Sequence, residues 1–283
     1  MSERTVSVRG VQIPRFLYGT AWKEAETQRL TELALQVGFR GIDTANQRRH
    51  YDEAAVGRAI GASFESGVDT REDVFLQTKF TLRAGQDHRV PYDPAAPIAA
   101  QVEQSFASSL AHLGTNVIDS YLLHGPTGGS GLVANDWEAW RAMEAIRDSG
   151  RARLLGVSNI SLNQLIRLCQ GARTPPAFVQ NRCYAVTGWD RPVREYCAAN
   201  EIVYQGFSLL TANRQVVAHP ELARIAQWHK RSVSQVIFRF AIDVGMIPLT
   251  GTTKAQHMRD DLAAFDFRLE PEEIERIESL AAR

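Results

Sequence analysis

Several features are scarce in this sequence of 283 residues, and each scarcity argues against a class of protein. The three cysteines, Cys169, Cys183 and Cys197, are odd in number and form no CxxC pair, so we expect neither a disulfide framework nor a metal site. Lys and Arg number 32, as do Asp and Glu, and no basic run is longer than the two-residue Arg48-Arg49. Because nucleic acids and anionic membrane surfaces attract proteins with a basic excess, neither is an expected partner.

Long apolar segments and flexible linkers are also missing. Arg239 and Asp243 interrupt the apolar segment VIFRFAIDVGMI, and the first ten residues, MSERTVSVRG, lack the apolar core of a signal peptide. No stretch rich in Pro, Gly and Ser divides the chain. We therefore expect a soluble, cytoplasmic protein in which residues 1–283 form a single domain.

The sequence instead repeats one unit, in which an apolar strand, a short loop, an amphipathic helix and a glycine follow one another. A short hairpin, VSV-RG-VQI, precedes the first unit. Apolar residues at helical spacing predict a helix from about Glu24 to Val37, and Asp93-Pro94 predicts the start of another that runs to Gly114. Alternating strands and helices are typical of parallel strands joined by crossover helices.

Eight apolar strand candidates can be counted along the chain. They are centred near Phe16, Ile42, Phe75, Ile118, Leu155, Phe178, Val203 and Ile247. Eight parallel strands, each followed by a helix, close into a barrel, so we predict an α/β fold, a (β/α)8 TIM barrel with an N-terminal β-hairpin. A doubly wound sheet is the alternative, but it normally carries GxGxxG after its first strand, where this chain has LYGTAW.

Titratable side chains follow three neighbouring strands of the predicted barrel. Asp43 comes after the second strand, Lys79 after the third and His124 after the fourth, while Tyr51 lies in the loop after Asp43. Each one alone has an ordinary structural explanation, such as a cap, a solvated cation or a core aromatic. Because the carboxyl ends of barrel strands meet at one mouth, we expect the four side chains to converge.

The four groups suit one type of proton transfer. A phenol with a reference pKa of about 10 is a poor acid at neutral pH, but a nearby ammonium such as Lys79 lowers that pKa. Asp43 would keep Lys79 charged and in position, and His124 would orient a carbonyl oxygen by hydrogen bonding. Tyr51 would then donate a proton to an oxygen that becomes an alkoxide, as happens when hydride reaches a carbonyl carbon.

Six segments carry a family resemblance: GFRGIDTA, LQTKF, IDSYLLH, GVSN, QNRCY and, near the C-terminus, GTTKAQHMRDDL. In this order and spacing they resemble the aldo-keto reductase superfamily, and the match covers nearly the whole chain. The resemblance implies a monomeric enzyme that reduces a small-molecule carbonyl substrate with NADPH, with NADH as the alternative cofactor. It also implies a catalytic tetrad, and Asp43, Tyr51, Lys79 and His124 fall on its positions.

One spacing departs from the usual pattern of that family, in which the tyrosine follows the aspartate by five residues. Here IDTANQRRHYDEAAVG places Tyr51 eight residues after Asp43, and counting back from Val56-Gly57 without a gap places His50 in the slot. Phenol chemistry favours Tyr51, because an enlarged loop can accommodate it. His50 stays the alternative proton donor.

The same resemblance implies positions for the cofactor and the substrate. The implied cofactor contacts are Thr20, Ser158, Asn159, Gln180, Phe207, Ser208, Leu210, Gly251, Thr252, Thr253, Lys254, His257 and Asp261. Phe207 takes the place of the aromatic that stacks on nicotinamide. Gly251 and His257 stand where the family often has permanent cations around the ribose 2′-phosphate, which weakens the expected preference for NADP over NAD. Trp22 and His124 are the expected substrate contacts.

Two other functions are compatible with the sequence. A barrel aldolase or isomerase would use Lys79 as a Schiff-base nucleophile, although a lysine held charged by Asp43 is a poor one. A nicotinamide-binding regulatory protein with little turnover would keep the barrel and the cofactor contacts. The altered loop before Tyr51 keeps this second alternative open.

Overall fold

The computed structural model describes residues 4–281 and begins with an antiparallel hairpin. In it, β1 (Thr5–Val8) pairs with β2 (Val11–Pro14). Arg9 and Gly10 turn the chain with φ of 47° and 85°. Positive φ at both central residues gives a two-residue turn whose twist matches that of the strands, so the predicted hairpin is confirmed.

Eight further strands form a parallel sheet. They are β3 (Leu17–Gly19), β4 (Gly41–Asp43), β5 (Phe75–Phe80), β6 (Ile118–Leu123), β7 (Ala152–Ser158), β8 (Phe178–Arg182), β9 (Val203–Phe207) and β10 (Ile247–Thr250). Hydrogen bonds join them in the order β10-β3-β4-β5-β6-β7-β8-β9 as a closed barrel. The predicted (β/α)8 barrel with an N-terminal hairpin is therefore confirmed.

Helices alternate with the strands along the chain. The α-helices of residues 4–281 are α1 (Thr27–Val37), α2 (Glu53–Glu65), α3 (Ile98–Leu113), α4 (Ala134–Asp148), α5 (Leu162–Gly171), α6 (Arg191–Ala199), α7 (Arg214–Val217), α8 (Pro220–Trp228), α9 (Val233–Asp243), α10 (Ala255–Leu262) and α11 (Pro271–Ser279). Serine caps begin two of them, because Ser161 and Ser232 accept the N–H groups of Gln164 and Gln235. None of these helices is both long and apolar enough to cross a membrane.

One predicted helix begins later than expected. The helix expected to start at Asp93 starts only at Ile98, directly after Pro97. The Asp93 carboxylate instead accepts the N–H of Ala95 and stabilises a turn. Pro97 itself has extended backbone with ψ of 148°, and the residue before a proline avoids helical backbone, so α3 cannot extend towards Asp93.

The chain packs as two compact units. The first spans Tyr18–Val179 and holds β4 to β7 with α1 to α5. Aromatic packing helps to form its core, where the rings of Phe106 and Tyr121 meet edge to face at 4.8 Å. The predicted catalytic residues all lie within this unit.

The second unit comprises the chain up to Leu17 and from Gln180 onward. Its core includes Phe16, whose ring lies 4.9 Å from that of Phe238. Beside Phe238, the buried Arg239 forms an ion pair with Asp243 one helical turn later. This unit carries β9, β10 and α6 to α11, and with them the predicted cofactor positions from Gln180 onward.

Candidate active site

A buried ion pair joins the carboxyl ends of β4 and β5. Lys79 Nζ lies 2.7 Å from each carboxylate oxygen of Asp43 and donates to the Thr44 carbonyl over 2.8 Å. The Lys79 side chain is 0% exposed and that of Asp43 4%. Gln77 lies opposite Asp43 in the sheet and donates its side-chain amide N–H to the same carboxylate over 2.7 Å. Sequence reasoning did not single out Gln77, which pattern alone does not distinguish from a core residue.

The surroundings of Lys79 oppose its use as a nucleophile. Burial lowers the pKa of Lys79, while the charge and the hydrogen bonds of Asp43 counteract that shift. An ammonium has three N–H donors, and Asp43 and Thr44 accept all three. A Schiff-base lysine must be unprotonated and accessible, so this geometry does not support the aldolase alternative.

Tyr51 lies beside this pair because the enlarged loop before α2 is anchored. The N–H groups of His50 and Tyr51 both donate to the Gln47 carbonyl, and Gln47 Nε2 donates to the Gly85 carbonyl over 2.7 Å. Asp52 caps α2 directly after the loop. As a result, Lys79 Nζ lies 5.3 Å from the centroid of the Tyr51 ring.

The pKa of Tyr51 moves in the direction opposite to the one that the sequence suggested. Burial first, and then the negative charge of Asp43, raises the pKa of the Tyr51 phenol above its usual value. The expected lowering of this pKa is not observed, because burial of the phenol and the charge of Asp43 outweigh the effect of the Lys79 ammonium. Tyr51 therefore keeps its proton at neutral pH.

His124 directly follows β6, and its backbone N–H donates to the Phe80 carbonyl over 2.8 Å. Its ring meets that of Tyr51 edge to face, with 5.9 Å between the centroids. Burial, and then the positive charge of Lys79, lowers the pKa of His124 to about 3, so the imidazole is neutral at pH 7. Nδ1 lies 2.7 Å from the hydroxyl oxygen of Thr81.

The two candidate proton donors occupy different surroundings. The His50 ring lies 3.9 Å from that of Trp22, and the His50 carbonyl accepts the Trp22 N–H. Trp22 is 67% exposed and has a φ of 61°. Tyr51, in contrast, is the ring that lies close to both Lys79 and His124.

In the first unit, three predicted cofactor positions lie at strand ends. Thr20 donates its hydroxyl and its N–H to the Asp43 carbonyl, each over 3.0 Å. Asn159 has a φ of 52° and donates its side-chain amide to the His124 carbonyl and to Ser158 Oγ. Within residues 4–281 the Oδ1 atom of this exposed asparagine accepts no hydrogen bond. An oxygen acceptor of this kind suits a donor such as the NH₂ of a carboxamide.

In the second unit, a loop follows β9. Ser208 begins it with a φ of 59°, a left-handed conformation that is uncommon for a residue other than glycine. Asn213 anchors the loop by donating to the Leu209 carbonyl over 2.8 Å, and Leu210 lies between these anchored residues. The Phe207 ring before the loop lies 5.7 Å from the guanidinium carbon of Arg182, and Gln180 Nε2 donates to Gln205 Oε1 over 2.9 Å.

The start of α10 carries the remaining predicted positions. Thr252 Oγ1 lies 3.4 Å from His257 Nδ1, and Gly251, Thr253 and Lys254 are exposed. Asp261 accepts the Thr250 hydroxyl over 2.7 Å, and burial raises the pKa of Asp261 to about 7. Hydroxyl groups and a helix N-terminus suit a phosphate, but among these predicted positions Lys254 alone has a permanent positive charge.

The comparisons with known proteins agree with this fold. The model of the aldo/keto reductase family matches residues 17–282. An uncharacterized oxidoreductase of Bacillus subtilis is 31% identical over 274 residues, which are 96% of this chain and 90% of that protein. An aldo-keto reductase of Bombyx mori is 30% identical over 266 residues, which are 89% of this chain and 81% of that protein.

Solved structures extend the same likeness. The crystal structure of a Bombyx mori aldo-keto reductase in complex with NADP matches with a TM-score of 0.82 and 27% identity, and covers 97% of this chain and 92% of its own. An aldo/keto reductase from Brucella melitensis matches with a TM-score of 0.81 and 28% identity over 98% of both chains.

Proposed function

Because the chain belongs to the aldo/keto reductase family, we propose that it reduces an aldehyde or ketone to an alcohol with NADPH as the hydride donor. The observation that carries this proposal is the arrangement around Tyr51. A phenol that keeps its proton lies beside a buried ammonium and a neutral imidazole, at ring distances of 5.3 and 5.9 Å. The complex of the Bombyx mori relative with NADP supports the choice of cofactor.

The donor set fits a nicotinamide cofactor. In the first unit, Ser158 and Asn159, with its open Oδ1 acceptor, would bind the carboxamide. In the second unit, Gln180 and Phe207 take the positions that the family resemblance assigns to the carboxamide and to the nicotinamide ring. The other positions would follow the cofactor towards its adenosine end: Thr20, Ser208, Leu210, Gly251, Thr252, Thr253, Lys254, His257 and Asp261. The chemistry that such a cofactor supplies when bound is the transfer of hydride to the carbonyl carbon.

His124 and Tyr51 have different roles at the carbonyl oxygen of the substrate: His124 orients it and Tyr51 protonates it. The neutral imidazole of His124 donates an N–H hydrogen bond to this oxygen and orients the substrate, which Trp22 also contacts. As the oxygen gains negative charge, the O–H bond of Tyr51 breaks and a new O–H bond forms on the product alcohol. Tyr51 is protonated at neutral pH and can give this proton to the alkoxide, which is a stronger base than a phenolate.

The ion pair of Lys79 with Asp43 stabilises the phenolate that forms when Tyr51 loses its proton. Loss of the proton leaves a negative charge on Tyr51, and the Lys79 ammonium near its ring stabilises that charge. Asp43 keeps Lys79 protonated and fixes its position through two contacts of 2.7 Å. These interactions act in a buried setting, where electrostatic interactions are stronger than in water.

The test begins with binding. Tryptophan fluorescence of the purified protein is followed during titration with NADPH and with NADH, and oxidation of each cofactor is then followed with a panel of aldehydes and ketones. We expect Tyr51→Phe to keep the dissociation constant for NADPH and to lose at least about 100-fold in kcat. The control Tyr196→Phe removes a phenolic hydroxyl from a tyrosine of α6 and should retain wild-type turnover. If neither nucleotide binds, the proposal fails; binding without turnover on the full panel would favour the regulatory alternative.

A further inference from the structure

Thr81 follows β5 directly and contacts the histidine that would orient the substrate. Its side chain is buried, at 4% exposure, and its hydroxyl oxygen lies 2.7 Å from His124 Nδ1. We propose that Thr81 is a positioning residue whose hydroxyl donates to Nδ1 and so fixes the Nε2–H tautomer of His124. The consequence for catalysis rests on the proposed function, whereas the tautomer itself does not.

The hydrogen-bonding partners of Thr81 decide the direction of this bond. The neutral His124 has one N–H, so either Thr81 donates to Nδ1 or Nδ1–H donates to Thr81. In the second case the Thr81 hydroxyl proton would need another acceptor, and within residues 4–281 its oxygen has no partner besides Nδ1. The Thr81 carbonyl already accepts from the Tyr92 hydroxyl over 2.8 Å and from Gln86 Nε2 over 3.4 Å. Since a buried donor without an acceptor is costly, the hydroxyl donates.

The side chain of Thr81 is also held in the orientation that this bond requires. A Cβ atom placed on Gly85 would lie only 2.7 Å from Cγ2 of Thr81, so the backbone of Gly85 packs directly against the Thr81 methyl group. A threonine side chain is stiff about χ1, and fixing the methyl group also fixes the hydroxyl. Gly85 therefore helps to keep the hydroxyl oxygen aimed at Nδ1.

The tautomer determines what His124 presents to a ligand. With the proton on Nε2, the imidazole offers an N–H donor at the nitrogen that has no partner within residues 4–281. With the proton on Nδ1, the same nitrogen would present a lone pair, which repels a carbonyl oxygen. Thr81 thus determines whether His124 can orient a carbonyl substrate.

Nitrogen-15 NMR of protein labelled at histidine tests the tautomer without relying on activity. The chain has 7 histidines, and the signals of His124 are assigned by their loss in His124→Gln. We expect a proton on Nε2 and an Nδ1 shift typical of an acceptor. In Thr81→Val the Nδ1 signal of His124 should lose the shift typical of an acceptor. The affinity for NADPH should stay unchanged, while kcat should fall about tenfold, which corresponds to the loss of one hydrogen bond. Thr81→Ser keeps the hydroxyl and should restore both.

Thr70→Val is the matched control. It removes a threonine hydroxyl that donates to Asp73 over 2.7 Å. Thr70 is exposed and precedes β5, whereas Thr81 follows it, so Thr70→Val should leave the His124 signals and kcat unchanged. A wild-type spectrum with the proton on Nδ1 overturns the inference, as does a Thr81→Val protein with wild-type shifts. If Thr81→Val does not fold, the wild-type spectrum still decides. If the wild type reduces no carbonyl compound, the proposed function fails while the spectrum still settles the tautomer.

Discussion

Replacing Asp43 by asparagine removes the negative charge that compensates Lys79. In the folded protein the Lys79 ammonium has no exposed surface and contacts both carboxylate oxygens at 2.7 Å. Loss of one partner from a buried ion pair costs about 3–5 kcal/mol, because the other charge stays buried without compensation. Asparagine keeps one acceptor oxygen and Thr44 keeps its bond, so we expect the free energy of unfolding to fall by about 3 kcal/mol, the lower end of that range.

Urea unfolding of four variants, Asp43→Asn, Lys79→Met, their double variant and Asp148→Asn, measures this loss. Asp148→Asn is the control, because Asp148, which is 38% exposed, pairs with Arg147 and Arg173, which are 42% and 65% exposed, and such surface pairs should contribute less than about 1 kcal/mol. The double variant Asp43→Asn/Lys79→Met removes both buried charges and should lose less stability than the sum of the two single variants. If Asp43→Asn costs no more than Asp148→Asn, or the double variant is additive, the ion pair is not coupled as we describe.

Three further changes have expected outcomes. Gly57→Ala in α2 places a Cβ atom 1.8 Å from the His112 carbonyl oxygen and should lower the free energy of unfolding by at least about 2 kcal/mol. Gly61→Ala in the same helix places its Cβ atom where nothing lies within 4 Å and should raise that free energy by up to about 1 kcal/mol. Equal effects of the two variants would refute the close approach of Gly57 to His112. His124 has a pKa lowered to about 3, so its contribution to stability is fully present above about pH 6.5 and is lost as the pH falls from there towards 3. Unfolding of His124→Gln should therefore depend less on pH over that range, and an unchanged dependence would contradict the shift. Gly251→Lys adds a cation at the start of α10 and should tighten binding of NADPH but not of NADH by fluorescence titration; equal tightening would place the 2′-phosphate elsewhere.

The catalytic candidates at strand ends were the part of the site that the sequence predicts best. In a parallel barrel the carboxyl ends of the strands meet at one mouth, so Asp43, Lys79 and His124 could be grouped from their place in the sequence alone. Tyr51 was harder, since a loop can carry a side chain in many directions and only contacts such as that of Gln47 with Gly85 fix it. The pattern does not contain those contacts.

Thr81 shows what strand periodicity can add. It lies two residues after Lys79 and one position beyond the end of β5, so extending the alternation of that strand by one residue groups it with Lys79. Two other expectations failed for physical reasons. The direction of the Tyr51 pKa depends on burial, which the sequence does not contain. The start of α3 depends on Pro97, which outweighed the helix-start signal at Asp93-Pro94.

The most direct test of the account is the turnover of Tyr51→Phe and His50→Ala with NADPH and one carbonyl substrate that the wild type reduces. Both variants are first shown to bind NADPH with the wild-type dissociation constant, so that any loss lies after binding. We expect Tyr51→Phe to lose at least about 100-fold in kcat and His50→Ala to lose much less, because His50 packs against Trp22 rather than beside Lys79. The opposite result, with turnover abolished in His50→Ala and retained in Tyr51→Phe, would show that Tyr51 is not the proton donor.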